Sequence, residues 1–355
     1  MGLRRLQITD FRCLQAVELH LDPHYTLISG PNASGKTSLL EAIYVLGRGR
    51  SFRARRLARL IRFGADRFVV FGETENGGLR RALGVESTAD RSRARIDGRD
   101  AASIAELAKH FPVQIIDPEV HKLIEEGPGG RRRFLDWGVF HVEPTFLAAW
   151  HRYRHALSQR NAALRAGQTD ALVSAWNPEL LRAGIEISAA RASYVETLSR
   201  RAKPAVRRLL GAELELKYRR GWAEDLELGE ALSRSGLVDR QRAATQVGPH
   251  RAELLVYVDG GLAREHVSRG QQKLLAAALL IAQLGVFPDG LAMRPTLLLD
   301  DPAAELDPSR LAALIAEVEQ ISPQLIVTTL QPEFPALGRP GSEVAAQAGE
   351  FRVLS

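Results

Sequence analysis

The chain has few of the features that stabilise secreted proteins or anchor proteins in membranes. Its 355 residues include one cysteine, Cys13, so neither a disulfide framework nor a cysteine-based zinc site can form within one chain. No stretch approaches the roughly 18 uncharged apolar residues of a membrane-spanning helix, and the N-terminus leads into an alternating pattern rather than an apolar signal region. These absences predict a cytoplasmic protein that does not engage a membrane, with Cys13 as a small side chain of its core.

Lysine is scarce as well, although the chain is basic. Only six of its 48 basic residues are lysines, and the net charge is +6 with a pI near 9.7. An excess of positive charge favours a polyanionic partner. The skew towards arginine also fits a GC-rich genome, so the distribution of the arginines along the chain is more informative than their number.

The most informative stretch lies between the apolar run 26–28 and the helical pattern 38–43. A strand, a glycine-flanked loop and a helix in this order are typical of a P-loop, in which backbone N–H groups and the helix N-terminus bind phosphate. Lys36 is expected to reach the β- and γ-phosphates, and Thr37 to ligate Mg²⁺. The motif predicts binding of a nucleoside triphosphate. The predicted binding residues are Gly30, Pro31, Asn32, Ala33, Ser34, Gly35, Lys36, Thr37 and Ser38.

Two acids near the C-terminus complement this loop. The buried-strand pattern 296–299 ends in Asp300 and Asp301. A carboxylate at the end of a central strand can hold Mg²⁺ opposite Thr37, and a second acid beside it can orient or deprotonate the attacking water. We therefore predict Asp300 as a metal ligand and Asp301, with Lys36, as a catalytic residue.

Another anion-binding pattern precedes these acids. Ser268, Gly270 and Gln271 open the apolar helix 274–284, and a hydroxyl and a glycine at the mouth of a helix suit phosphate. Taken alone, the pattern equally describes an ordinary capped helix. Its place ahead of Asp300 and Asp301 strengthens the prediction of a second anion site.

The sequence does not identify which residue senses the γ-phosphate. Residues 112–119 predict a strand that ends in a proline turn, and Gln114 and Glu119 are equal candidates within it. A further predicted strand, 324–329, ends in Thr328 and Thr329, which are also candidates.

Arginines cluster in two places. Residues 47–62, here called the arginine run, contain seven arginines and no acid, and three more follow residues 127–130, which we expect to form a flexible hinge. A charge run is usually a solvated surface, but one that begins just beyond a nucleotide-binding helix makes DNA contact an equal alternative. Such contacts position a protein without reading sequence. The predicted DNA-binding residues are Arg50, Arg53, Arg55, Arg56, Arg131 and Arg132.

The hydrophobic pattern predicts an α/β fold interrupted by a second domain. Strand patterns occur at 3–9, 16–28, 68–74, 79–87, 93–97, 213–219 and 253–258. Residues 142–211 are helical in spacing but keep no heptad repeat, so no long coiled coil is expected. We predict one head built from residues 1–120 and 240–355, with a mainly helical lobe, 121–239, inserted between them.

The order of these motifs resembles that of an ABC-type ATPase head, and more closely that of the RecF family of SMC-like bacterial recombination-repair proteins. The resemblance extends over nearly the whole chain. The stretches that carry it are Asp10-Phe11-Arg12, residues 30–43, Ser51-Phe52-Arg53, Arg131 to Asp136, Val247 to Arg251, Ser268 to Lys273, Asp300-Asp301 and Glu305 to Asp307.

The resemblance implies a slow, DNA-stimulated ATPase that uses Mg²⁺ and closes as an ATP-dependent homodimer around two nucleotides. It implies binding of double-stranded and gapped DNA, or of single-strand/double-strand junctions. RecR and RecO are the implied partners, and loading of RecA is the implied outcome. In each closed site, Ser268, Gly270 and Gln271 would contact the γ-phosphate bound by the other subunit, and Asp307 would line the seam.

Three positions depart from the wider ABC pattern. Asp301 stands where most ABC ATPases carry a catalytic glutamate, and its shorter reach suits slow turnover and clamp-like behaviour. The strand end at Thr328-Thr329 lacks the usual switch histidine. Ala33 replaces a common glycine, a change that we expect the loop to tolerate.

Two other functions share these motifs. The nucleotide-binding subunit of a transporter would need a surface for membrane partners and would leave both arginine clusters unexplained. An ATP-gated DNA scaffold, in which hydrolysis is incidental, differs only in whether turnover is needed. DNA binding by a Lys36→Arg protein and by an Asp301→Asn protein would separate this last function from that of a true DNA-dependent ATPase.

Overall fold

The chain leaves one structural unit after residue 120 and returns to it after residue 288. In a computed structural model, residues 2–101, 103–287, 295–304, 306–321, 323–330 and 341–354 are described. The head unit comprises residues 1–120 and 289–355, and the lobe unit comprises residues 121–288. The head unit is therefore built from both ends of the chain.

Strands and helices are mixed in the head unit, whereas helices predominate in the lobe unit. The first segment of the head unit contains β1 (Gly2–Phe11), β2 (Leu14–His20), β3 (Tyr25–Ser29), α1 (Lys36–Arg48), a 3-10 helix (Leu57–Leu60), β4 (Arg67–Asn76), β5 (Leu79–Thr88), β6 (Ser92–Ile96), β7 (Arg99–Asp100), α2 (Ile104–His110) and β8 (Val113–Ile116). The lobe unit contains α3 (Lys122–Glu125), α4 (Pro128–Val142), α5 (Phe146–Arg165), α6 (Asp170–Ser174), α7 (Asn177–Leu210), β9 (Leu214–Arg219), α8 (Leu228–Arg234), α9 (Gly236–Gln241), a 3-10 helix (Pro249–Arg251), β10 (Glu253–Val258), β11 (Gly261–Leu262), α10 (Ala263–His266) and α11 (Arg269–Leu284). The second segment of the head unit adds β12 (Thr296–Asp300), a 3-10 helix (Pro302–Ala304), α12 (Pro308–Ile321), β13 (Gln324–Thr329), β14 (Ser342–Gln347) and β15 (Glu350–Val353).

Six strands of the head unit form a mostly parallel sheet in the order β15-β14-β3-β13-β12-β8. All neighbouring pairs are parallel except β14 with β15. The four strands β3, β8, β12 and β13 consist almost wholly of buried residues, as expected for parallel strands covered on both faces. Because parallel strands end on the same side, the last residues of these four strands meet at one edge, here called the carboxyl edge.

The other large sheet of the head unit is antiparallel, in the order β2-β1-β4-β5-β6-β7. One of its faces is apolar and packs on α1, with Leu6, Phe68 and Leu40 in a single core cluster. The same cluster contains Ile28 and Leu298 from the parallel sheet. Helix α1 is therefore fixed against both sheets, which sets the position of its N-terminus at the carboxyl edge.

The lobe unit is built around α7, which runs for 34 residues. Pro178 lies in its first turn, where proline is well accommodated, and the helix continues through Pro204 rather than ending there. Helix α7 packs on α5 and α11 and on a three-stranded sheet in the order β11-β10-β9. Among the described residues, no helix combines the length and the apolar character needed to cross a membrane.

The C-terminal boundary of the lobe differs from the expected boundary at residues 239 and 240. Strand β10 pairs along its whole length with β9, from Glu253 opposite Arg219 to Val258 opposite Leu214. Residues 240–287, including Ser268, Gly270 and Gln271, therefore belong to the lobe unit rather than to the head unit. The lobe also contains this sheet and is less purely helical than expected.

The residues 127–130 do not form the expected flexible hinge. Pro128 begins α4, and Gly129 and Gly130 lie in its first turn. Proline suits this position because the first N–H groups of a helix need no intrahelical acceptor. The three arginines that follow are consequently residues of a folded helix.

Burial rules out the expected DNA contact for Arg131. Its side chain is 5% exposed and forms a bidentate pair with Glu253, with nitrogen–oxygen distances of 2.9 and 3.1 Å. Its Nη1 also donates to the carbonyl oxygens of Leu123, Ile124 and Glu126. Because the guanidinium is occupied inside the lobe unit, Arg131 ties α4 to β10 and cannot reach a DNA phosphate.

We expect Arg131→Ala to destabilise the lobe unit by about 3–5 kcal/mol, because it leaves the buried Glu253 carboxylate without its counter-charge. Arg133→Ala is the matched control, since Arg133 is exposed on the same helix and should change stability by less than about 0.5 kcal/mol. Urea unfolding of both variants provides the measurement. Equal midpoints for the two variants would show that the Arg131–Glu253 pair contributes nothing.

Candidate nucleotide-binding site

The loop between β3 and α1 depends on two glycines. A Cβ at Gly30 would lie 2.2 Å from the carbonyl oxygen of Ala346, so only glycine fits there. Gly35, with φ of +97°, is the N-cap of α1. No described side chain caps this helix, so its first backbone N–H groups stay available as donors at the carboxyl edge. A helix N-terminus of this kind binds phosphate.

Two further residues of the loop bear on its capacity for a ligand. Ala33 has φ of +62°, a left-handed conformation that costs a residue with a Cβ about 1 kcal/mol. The alanine is exposed, so its methyl group adds only this backbone strain. The Oγ of Ser34 is buried and has no hydrogen-bond partner among the described residues. A buried hydroxyl of this kind fits a loop whose polar groups are completed by an anionic ligand.

Lys36 is the first residue of α1, and its ammonium group turns back over the loop. Its Nζ donates to the carbonyl oxygens of Gly30 at 2.6 Å and Pro31 at 2.8 Å. Burial lowers the pKa of Lys36, and the negative charges of Asp301 and Asp300 oppose this effect. The lysine is thus held at the mouth of the loop within the field of both carboxylates.

Thr37 and Asp300 meet directly, although 263 positions separate them in sequence. The Thr37 hydroxyl donates to Asp300 Oδ1 at 3.1 Å, and the Thr328 hydroxyl donates to the same oxygen at 2.9 Å. Burial raises the pKa of Asp300, and these hydrogen bonds act in the opposite direction. A hydroxyl and a carboxylate brought together at a sheet edge are the hard oxygen ligands that Mg²⁺ prefers.

Asp301 follows Asp300 in a left-handed conformation, with φ of +48°. Aspartate tolerates this region better than most residues. The backbone N–H of Asp301 donates to the carbonyl oxygen and to the hydroxyl of Thr328. The end of β13 therefore fixes the turn that carries the predicted catalytic acid.

A third acid at this edge, Asp117, was not predicted from the sequence. It directly follows β8, in which Ile116 pairs with Leu299, the residue before Asp300. Burial raises the pKa of Asp117 to about 6, and the charge of Asp300 contributes to the rise. An acid directly after an apolar strand was the available signal, and it is the same signal that identified Asp300.

The candidates for sensing the γ-phosphate lie in different places. Gln114 is buried within β8 and pairs with Leu297, three residues before Asp300. Glu119 is exposed in the turn after Asp117, to which its N–H donates. Thr328 and Thr329 are buried at the end of β13. The two threonines are thus the candidates that lie at the carboxyl edge itself.

In the lobe unit, Ser268 and Gln271 form a capping box at the start of α11. The Ser268 Oγ accepts from the Gln271 N–H at 3.3 Å, and the Gln271 Oε1 accepts from the Ser268 N–H at 2.9 Å. Ser268, Gly270 and Gln271 are all exposed, and a Cβ at Gly270 would meet no atom within 4 Å. Packing against the described residues therefore does not explain the glycine, and this end of α11 is exposed.

A buried carboxylate fastens the arginine run to α1. Glu41 is fully buried and accepts two hydrogen bonds from Arg12, at 2.9 and 3.1 Å, and one from the Ser51 hydroxyl. The Ser51 Oγ in turn accepts from the backbone N–H groups of Arg53 and Ala54. The first turn of the arginine run is therefore held to the helix that begins at Lys36.

The predicted DNA-binding arginines differ in exposure. Arg53, Arg55 and Arg56 are exposed, and their guanidinium groups form no hydrogen bond or ion pair with a described residue. Arg50 is half-buried against Tyr44, and Arg132 is half-buried and donates to the carbonyl oxygen of Ala252 at 2.8 Å. The positive charge of Arg53 also favours the ionised form of Asp300 and lowers its pKa, although burial outweighs this effect.

Cys13 is exposed rather than part of the core, which corrects the expectation from the sequence. It lies in the two-residue turn between β1 and β2, where Phe11 pairs with Leu14. The central residues of such a turn project away from the sheet, so the thiol is left at the surface, 3.5 Å from the Ser38 hydroxyl of α1.

Comparisons with known proteins identify the family. Residues 2–349 match the family model described as the RecF/RecN/SMC N-terminal domain. A protein of Pseudomonas entomophila, named DNA replication and repair protein RecF, is 42% identical over 347 residues, which cover 94% of this chain and 92% of the relative. The chain belongs to the RecF family. Another RecF-family relative, from Thioalkalivibrio sulfidiphilus and of the same name, is 40% identical over 334 residues and covers 93% of both chains.

Solved structures agree with the RecF-family assignment. A structure described as the recombination mediator protein RecF with ATP in the RecFOR pathway superposes with a TM-score of 0.90 at 26% identity, covering 100% of this chain and 98% of that one. An Smc head bound to the C-terminal winged-helix domain of ScpA gives a TM-score of 0.62 at 18% identity, which shows the shared fold alone. The predicted ABC-type ATPase head without a long coiled coil is confirmed. The chain is thus a RecF-type member of the DNA replication and repair proteins.

Proposed function

We propose that this chain is a cytoplasmic, ATP-dependent DNA-binding protein of recombinational repair and replication restart. The observation that carries the proposal is the 3.1 Å contact between Thr37 and Asp300, which joins the phosphate-binding helix to the acidic strand end. Similarity to a RecF structure described with ATP supports the nucleotide. The relatives named as DNA replication and repair proteins support the pathway.

Different residues of the head unit bind ATP and hydrolyse it. The backbone N–H groups at the start of α1 bind the phosphates, and Lys36 supplies a positive charge beside them. Thr37 and Asp300 would hold Mg²⁺, and the ion would supply positive charge to the phosphate oxygens. Asp301, held by the end of β13, orients the attacking water or accepts its proton. The short aspartate side chain in this position fits slow turnover.

The capping box of the lobe unit completes the site of a second copy. Ser268, Gly270 and Gln271 expose one hydroxyl and the first backbone N–H groups of α11, which suits contact with a terminal phosphate. ATP then bridges two subunits, and its binding energy favours the closed homodimer. Asp307 lies at the seam of this dimer.

DNA binding is assigned to the exposed part of the arginine run. Arg53, Arg55 and Arg56 are exposed, form no ion pair with any described residue, and lie on a segment tied to α1 through Glu41 and Ser51. This connection supports the proposal that nucleotide and DNA bind to neighbouring parts of the head unit. On gapped duplex DNA the protein acts with RecR and RecO to load RecA, as the RecFOR pathway named for the similar structure suggests.

Hydrolysis of ATP with and without gapped duplex DNA tests the whole proposal. We expect a slow basal rate that rises on addition of the gapped duplex, because ATP and DNA binding stabilise the same closed state. An intact duplex of equal length is the control for the gap. A rate that changes with neither DNA would contradict the proposed coupling of ATP hydrolysis to DNA binding.

We expect the substitution of Arg53, Arg55 and Arg56 by alanine to weaken DNA binding and to flatten its salt dependence. Each phosphate contact contributes a slope of about −0.9 to log K against log salt concentration. The loss of affinity should be about equal for all DNA sequences, since phosphate contacts carry no sequence information. Arg80, Arg91 and Arg93 are exposed arginines in the same unit, and their triple substitution provides a charge-matched control. If both triple variants keep the parental slope, the arginine run is only a solvated surface.

A further inference from the structure

Phe63 is the most exposed of the large apolar side chains among the described residues, at 99%. Single exposed apolar residues are common and need no function by themselves. What sets Phe63 apart is the hydrogen-bonded turn that presents it and the charge of the segment that precedes it.

The turn at Phe63 is closed by a hydrogen bond of its own. The Ala65 N–H donates to the carbonyl oxygen of Arg62 at 3.0 Å, and Gly64 has φ of +83°. A bond from the fourth to the first residue with glycine of positive φ in third place is the arrangement of a type II turn, in which Phe63 occupies the second place. The ring therefore projects from the apex of a tight turn rather than from a loose loop.

The base of this turn is fastened to the end of β1. Arg62 donates from its backbone N–H to the Asp10 carbonyl oxygen at 2.9 Å, and its guanidinium pairs with the Asp10 carboxylate at 2.6 Å. Just before it, Ile61 bridges to Phe11, and Leu60 is fully buried. Binding at Phe63 thus requires little ordering of the backbone, which preserves affinity.

The segment that leads to the turn is positively charged. Arg53, Arg55, Arg56 and Arg59 are exposed, and none of their guanidinium groups bonds to a described residue. Asp66 is the exposed acid nearest in sequence, and it leaves the segment with a large excess of positive charge. Cationic surroundings favour a polyanion over an apolar protein surface as the partner of the ring.

We propose that Phe63 stacks on an unpaired nucleobase where single-stranded and double-stranded DNA meet, while the arginine run holds the adjoining phosphates. The inference rests on the DNA binding proposed above and adds the group that reads the unpaired base. Any base offers a face to an aromatic ring, so such stacking tolerates all sequences. Bases inside a duplex are already stacked on their neighbours, which restricts the contact to unpaired positions.

The test compares Phe63→Ala, Phe63→Trp and the parent on a gapped duplex and on an intact duplex of equal length. We expect Phe63→Ala to bind the gapped duplex roughly tenfold more weakly, with an unchanged salt slope because no charge is removed. Phe63→Trp should bind as the parent does, and all three should bind the intact duplex equally. Leu79→Ala, which removes another exposed apolar side chain of the same unit, is the control and should match the parent.

A second arm tests the base itself. One abasic nucleotide at a time replaces the unpaired positions next to each junction of the gap. At the position that contacts Phe63, the abasic change should weaken DNA binding by the parent protein. It should leave DNA binding by Phe63→Ala unchanged, because this variant already lacks the stacking contact. The two changes should be non-additive at this position and additive at the others.

Three outcomes would overturn the inference. Equal binding of the gapped duplex by Phe63→Ala and the parent would exclude stacking, and an equal loss on gapped and intact duplexes would exclude a role for unpaired bases. Unchanged DNA binding together with lost binding to RecR would identify a protein-docking residue instead. The arginine triple variant separates this failure from that of the proposed function, since it loses DNA affinity even when Phe63 is irrelevant.

Discussion

Replacing Lys36 with methionine is expected to leave the protein folded and to abolish its binding or hydrolysis of ATP. Lys36 supplies a positive charge to the phosphates, and without it only the backbone N–H groups of the loop remain to bind them. Losses of roughly 100-fold or more are typical when a charge that stabilises a transition state is removed. Nucleotide binding and ATP turnover measured on the same preparation will show which step fails.

The fold should survive this change for a physical reason. The ammonium group donates to two loop carbonyl oxygens, Gly30 and Pro31, and each such bond from a charged donor contributes about 1.5–3 kcal/mol net, which is less than the usual stability of a folded domain. Methionine keeps the length and apolar stem of the side chain, so the packing at the start of α1 is retained. Thermal unfolding provides the check, with Lys109→Met as a matched control at an exposed position of the same unit.

A folded Lys36→Met protein with parental ATP affinity and turnover would remove the basis of the proposed function. Loss of activity in the Lys109→Met control would instead show that the substitution acts through stability or charge in general. The two variants differ in one respect that matters, namely whether the lysine lies at the phosphate-binding loop.

The local parts of the site were predictable from the sequence. Residues 30–37 adopt the expected loop because glycine is required at Gly30 and Gly35, and such a requirement is visible in the sequence. Asp300 was identified because an acid directly follows the buried-strand pattern 296–299, which ends in three leucines. Both signals depend on neighbours in the chain, and a pattern of neighbours is what sequence analysis measures.

Features set by distant contacts were not predictable. The strand pattern at 253–258 was recognised, but nothing in it shows that the strand pairs with 214–219, and this pairing moves residues 240–287 into the lobe unit. Arg131 looked like any residue of a basic cluster until the partner of its guanidinium, Glu253, was known. A charge is exposed or buried because of its surroundings in space, and composition does not record them.

The attachment of the arginine run to α1 illustrates the same limit. Glu41 is one acid among the apolar residues of the helical pattern 38–43. In the fold it is fully buried and accepts hydrogen bonds from both Arg12 and Ser51. Taking a carboxylate out of water is favourable only with such partners, so the burial of Glu41 and the position of the arginine run are set together.

The second large effect is expected from mixing two inactive proteins, because the proposed site is shared between subunits. Lys36→Met damages the site on its own subunit, whereas Gly270→Asp damages the site that its subunit completes on the partner. The aspartate should be compatible with the fold, since a Cβ at Gly270 meets no atom within 4 Å and an acid suits the first turn of α11. Its negative charge should repel a phosphate presented by the partner.

A mixed dimer contains one site with both defects and one site with neither. Random exchange of equal amounts should therefore restore about a quarter of the parental ATPase activity, provided that one site of the symmetric dimer turns over without the other. Lys36→Met mixed with Asp301→Asn is the matched control. Both substitutions damage the nucleotide site of their own subunit, so every site of that mixed dimer is defective and no activity should return.

The oligomeric state offers an independent measurement of the same mechanism. ATP should shift the Asp301→Asn protein from monomer to dimer in sedimentation, because slow hydrolysis keeps both bridging nucleotides in place and their binding energy favours the closed state. Gly270→Asp combined with Asp301→Asn should still bind ATP and remain monomeric, since only the contact with the partner is removed. If the Asp301→Asn protein binds ATP fully and stays monomeric at micromolar concentration, with or without DNA, the shared site is wrong and each chain must complete its nucleotide contacts alone.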